Sequence, residues 1–158
     1  MNTYLLIKAL HIMSSVLLVG TGFGSAFYMF FVNRTGSVQA IAAVSRLVVR
    51  ADWWFTTPAV IFQPLSGLWL AHMAGWAWTT PWILTSIALY VIAGLCWLPV
   101  VWIQMKMQKI AVESATQGLV ALPAAYWRLA RIWERLGYPA FIAMVAIYFL
   151  MVLKPALF

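Results

Sequence analysis

An all-α fold of four transmembrane helices follows from three observations on this 158-residue chain. Hydrophobic residues make up 65% of it and charged residues 8%, more apolar surface than a soluble domain of this size can hide. Four apolar runs, at roughly 4–32, 53–74, 81–105 and 136–153, each come near the ~20 residues that a helix needs to cross the hydrocarbon core. Runs such as IALYVIAGLCWLPVVWI are apolar on every face, which suits a helix and not a membrane β-strand with its alternating pattern.

The first run, Tyr4 to Val32, continues through Phe31 from a start poor in basic residues, so it reads as a span rather than a secretory signal. Spacings of three and four align Lys8, His11, Ser15, Leu18, Gly22 and Ser25 on one small, polar stripe. In the second run, Pro64 follows Gln63 and frees the carbonyl of Val60, a local opening that an adjacent amide can use. Asp52, Thr56, Gln63 and Gly67 share a stripe there, and His72 ends the run. The third run contains Cys96, which has no second cysteine to pair with. The fourth ends at Leu153-Lys154-Pro155. Between the last two runs, 113–135 mixes basic and apolar residues and predicts an interfacial helix that Pro123 starts or interrupts. No repeat or composition break divides residues 1–158, so a single membrane domain is expected.

Basic residues set the orientation. Arg34, Arg46 and Arg50 lie in the first loop and Lys106, Lys109, Arg128, Arg131 and Arg135 in the third, whereas 75–80 holds none. Loops one and three are therefore expected in the cytoplasm and both termini outside, in a bacterial inner membrane. The +7 net charge is a product of this topology: it sits in two juxtamembrane loops without an aromatic-basic module. Anionic lipid headgroups, and not nucleic acid, are the expected partners, together with a homodimer or another membrane protein. Most of the ten tryptophans, including Trp53, Trp54, Trp76, Trp78, Trp82, Trp127 and Trp133, fall near span ends as an aromatic belt would.

His11 is the leading functional candidate, because an imidazole in hydrocarbon needs a partner: a haem iron, a proton relay or a polar helix contact. His72 sits at a similar depth on the outward side. It lies nine residues beyond Gln63, on the opposite face at ~100° per residue unless the proline kink changes the twist. Lys8 and Lys154, both at the outward end, could hold porphyrin propionates or snorkel to phosphates. Asp52 and Glu134 are expected to pair with nearby arginines. No Cys/His metal cluster, phosphate loop or nucleophile with an adjacent base occurs in the sequence.

Tyr4-Leu-Leu-Ile-Lys-Ala-Leu-His-Ile12, Gln63-Pro-Leu-Ser-Gly67 and the Trp133 to Pro155 stretch together resemble a bacterial four-helix integral membrane family of unknown function. More remotely, Lys8-Ala-Leu-His-Ile12, Arg131-x-x-Glu-x-x-x-x-Pro139 and Val152-Leu-Lys-Pro155 are similar to HemJ-type protoporphyrinogen oxidases. That resemblance implies b-type haem, with His11 as axial ligand and Lys154 as a porphyrin contact. The chain departs from the pattern at Phe27-Tyr-Met-Phe-Phe31, where those enzymes have Tyr-Leu-Pro-Arg-Leu, and it lacks their third-helix lysine. Two readings stand level. One is a haem b redox protein whose second ligand is His72 or one of Met13, Met29, Met73, Met144 and Met151. The other is a non-enzymatic assembly or partner subunit in which His11, Gln63 and the small residues hold helices together. A quinone or small-solute site without haem completes the set.

Overall fold

The computed structural model describes residues 2–156, and among them all regular structure is helical. Helix α1 spans Thr3–Thr35, started by the Asn2 side chain accepting from the Tyr4 amide at 3.0 Å. Gly36, at φ 67°, ends it in a left-handed conformation that a side chain would strain, and Ser37 caps the next helix directly. That helix, α2 (Val38–Ala51), runs through a π-helical segment (Asp52–Thr56) into α3 (Thr57–Met73) without a break. Helices α4 (Pro81–Thr116) and α5 (Ala124–Leu153) complete the chain.

The π segment has a local cause. Pro58 has no amide hydrogen to give to the carbonyl four residues back, and Thr57 instead donates to Asp52 five residues back. The wider turn advances the register by one residue. Within it Thr56 stands over Asp52, whose carboxylate accepts the threonine hydroxyl at 3.0 Å, both side chains being buried.

Three helices, α1, α4 and α5, are long and apolar enough to cross a membrane. The protein packs in two regimes. Towards loops one and three lies a dense core in which Met29, Ile41, Met107, Ala111 and Tyr126 are fully buried. Tyr126 donates its hydroxyl to Asn33 Oδ1 at 2.7 Å inside it, tying α5 to α1. Towards the other end, large apolar side chains such as Val16, Leu65, Leu98, Ile142 and Phe149 face outward, as surfaces in contact with lipid do. There α1 packs on α3 and α4 on α5, while α1 and α5 stand further apart and meet through side chains, with the Tyr148 hydroxyl donating to the Ser15 carbonyl at 3.1 Å.

Expected and observed boundaries differ in loop three. The interfacial helix anticipated over 113–135 is divided between the end of α4 and the first turns of α5, joined by a short link around Gly118. Pro123 stands at the cap position of α5. Tyr126, Ala130 and Trp133 explain the change: they face the dense core, where burial outweighs anchoring at a headgroup. Trp133 is accordingly buried and not part of a belt, whereas Trp53 and Trp54 stay exposed.

Replacing Tyr126 with Phe leaves Asn33 Oδ1 buried without its donor. The expected cost is about 1–3 kcal/mol, read as a lower thermal midpoint of the detergent-solubilised protein.

Candidate functional site

His11 and Gln63 meet in the seam between α1 and α3. Ser66 Oγ lies 2.7 Å from the Phe62 carbonyl and 3.2 Å from that of Gln63, so its single proton is committed within its own helix. It must then accept from His11 Nδ1–H, at 2.7 Å. His11 is thus the neutral Nδ1–H tautomer, and its Nε2 lone pair accepts from the Gln63 amide at 3.1 Å. Gly67 makes room for the ring: a Cβ there would stand 3.1 Å from His11 Cε1. Three positions of α3 therefore enclose one imidazole.

The tautomer is the one an iron ligand requires, with Nδ1 anchored and Nε2 basic. The surroundings do not match haem. Gln63 covers Nε2, the ring approaches Gly67 most closely at Cε1, and His11 is not among the residues lining the cavity between α1, α4 and α5. His72 is exposed at the end of α3 and is not brought to His11. Of the methionines, Met13 is exposed on the outer surface and Met29 is sealed in the dense core. Lys8 and Lys154 rest against different aromatic rings. The ammonium of Lys8 lies 5.9 Å from the Tyr4 ring, and that of Lys154 lies 5.6 and 5.7 Å from Trp76 and Trp82.

The freed carbonyl of Val60 has a partner the sequence did not name. Tyr90 of α4 donates to it at 2.7 Å, so the opening made by Pro64 is closed by a neighbouring helix. This bond also forms one wall of a cavity of about 420 Å³ at the centre of the bundle. Its walls are apolar and aromatic, with Phe27, Trp97, Trp133 and Phe141 among them. Its floor is polar: Asp52, Thr56 and Gln104. Among the described residues Asp52 has no arginine within salt-bridge range. Its carboxylate takes hydrogen bonds from Thr56 and from the Gln104 side chain, which leaves Gln104 Oε1 as a buried acceptor with no donor. Glu134, by contrast, does meet an arginine, with Arg34 Nη1 at 3.7 Å.

Phe27 and Phe31 of α1 and Tyr138 of α5 line this cavity and are also exposed on the outer surface. Its mouth therefore lies in the seam between α1 and α5. Phe23 and Phe141 stack across that seam with ring centroids 5.1 Å apart.

Long apolar helices, outward-facing aliphatic surface and polar groups paired only within the bundle define an integral membrane protein. The chain matches, over residues 5–155, the family described as predicted integral membrane protein (DUF2269), and it belongs to that family. No curated protein and no solved structure matches it.

The seam gives a coupled prediction. His11→Ala should lower stability by about 1–3 kcal/mol by unpairing Gln63 and Ser66. Gly67→Ala should destabilise the parent but cost nothing more in the His11→Ala background, a non-additivity that a thermal double-mutant cycle reads directly.

Proposed function

We propose that this is a four-span inner-membrane protein that binds a lipophilic quinol-type molecule in its central cavity, without haem. The observation that carries the reading is the apolar cavity with an acceptor-rich floor. A volume of about 420 Å³ suits a substituted ring. The donorless Gln104 Oε1 and the Asp52 carboxylate suit the hydroxyl of a reduced quinone better than the carbonyl of an oxidised one. In this reading His11 closes the α1–α3 seam, and the likeness to HemJ-type oxidases rests on residues that serve packing.

The unbroken helix from Val38 to Met73 supplies the fourth crossing in its α3 part, marked at its inward end by exposed Trp53 and Trp54. The basic residues of loops one and three cluster at the densely packed end, which supports a cytoplasmic position for that end and an outward one for both termini. Alkaline phosphatase fused after Phe158 should be active, and the same reporter inserted near Gly118 should be inactive; the opposite pattern inverts the topology.

Binding is tested by quenching of tryptophan fluorescence, since Trp97 and Trp133 line the cavity. Quinol should bind more tightly than the matching quinone, and Gln104→Leu should cost the quinol about tenfold while leaving the quinone unchanged. Gly94→Leu should abolish both, because a side chain there extends into open cavity space without a clash. Absorption spectra of purified protein, with a pyridine haemochrome assay, address the competing reading. Stoichiometric haem lost in His11→Ala would restore the haem protein, and neither haem nor quinol binding would leave a partner subunit.

A further inference from the structure

A second binding feature lies about one helical turn inward of the cavity. Asn33 and Arg34 at the end of α1, with Trp127, Ala130, Arg131 and Glu134 on α5, line an open notch. Its polar groups are donors out of proportion to their acceptors. Asn33 is buried, and its Oδ1 is held by Tyr126 at 2.7 Å, which fixes the amide so that Nδ2, with two hydrogens to give, has no acceptor among the described residues. Arg34 gives Nη1 to the Phe30 carbonyl at 2.8 Å and approaches Glu134 at 3.7 Å, which leaves further guanidinium donors uncommitted. Arg131 is exposed at the rim, and among the described residues no carboxylate lies within salt-bridge range of it. Two guanidinium groups against one carboxylate leave the notch positive.

We infer that this notch binds a phosphate group, with Asn33 Nδ2 as the buried donor and Arg34 and Arg131 as the charged ones. A phosphate offers several acceptor oxygens and negative charge, the complement of an orphaned amide beside two arginines. Glu134 lines both the notch and the central cavity, so the two adjoin. A phosphate held here would lie at the inward border of the apolar surface, where the headgroup of a membrane amphiphile sits and its chains run back into the bilayer. This inference is independent of the quinol reading, since it uses neither Asp52 nor Gln104.

Native mass spectrometry of delipidated, detergent-purified full-length protein tests it, with dioctanoyl phosphatidic acid, dioctanoylglycerol and inorganic phosphate as probes. Phosphatidic acid should form a one-to-one adduct at least about tenfold more readily than dioctanoylglycerol. Asn33→Asp keeps the oxygen that Tyr126 bonds and replaces the donor with a second negative oxygen, so it should abolish the adduct. Arg131→Gln, at an exposed position that cannot disturb the core, should weaken it about tenfold, whereas Arg128→Gln on the same helix outside the notch should not. Competition by inorganic phosphate at comparable concentration would make the ligand a soluble phosphate in the same notch; no competition makes it a lipid headgroup. Equal uptake of dioctanoylglycerol, or equal losses in Arg128→Gln and Arg131→Gln, would overturn the proposal by reducing the effect to general attraction between basic residues and anionic lipid.

Discussion

The missing amide hydrogen at Pro58 is the constraint on which the interior of this protein depends. In a helix surrounded by lipid every backbone group seeks its partner within the protein, and beside Pro58, which has no hydrogen to give, the chain widens one turn into a π segment. The extra residue separates two duties of a single rod. Before it, α2 packs against α4 in the dense core; after it, α3 packs against α1. Within it, Asp52 and Thr56 turn towards the cavity, while Gln63, Ser66 and Gly67, which an uninterrupted α-helix would align with them, turn instead to His11.

The same demand explains why polar groups sit where they do. Pro64 exposes the Val60 carbonyl and Tyr90 takes it; Ser66 commits its proton to its own helix and so can accept from His11. These bonds hold helix pairs whose apolar faces have no hydrophobic drive to associate in lipid. The inward core is different. Its close packing of Met29, Ile41, Met107 and Tyr126 resembles that of a soluble bundle, and it sets the spread of the helices that leaves the central cavity between them.

Much of this was legible in the sequence, and the failures have physical causes. The helical membrane class followed from composition and apolar runs, and the family match over residues 5–155 supports it. Gln63 reaching across to another helix, and Val60 as a freed carbonyl, were readable because proline acts locally through its own backbone. The π segment was not anticipated, although Pro58 was visible, because a proline in the first turn of a helix normally signals a start and not an insertion. Missing it misplaced Asp52, which was expected beside an arginine and lies instead under Thr56 and Gln104, the latter from a helix far along the chain. Trp133 and the continuity of α5 were missed for the related reason that burial against a distant helix leaves no trace in local hydropathy.

The position of the cavity mouth governs how any occupant would be counted. An opening between α1 and α5, crossed by Phe23 and Phe141, lies among exposed apolar side chains, the kind of surface that acyl chains cover in a bilayer. A guest arriving there is already dissolved in the bilayer, so occupancy follows its mole fraction among the lipids and not its aqueous concentration. Adding protein-free vesicles would then dilute the guest and empty the cavity as effectively as a competitor, and two molecules of equal intrinsic fit would rank by their partition coefficients.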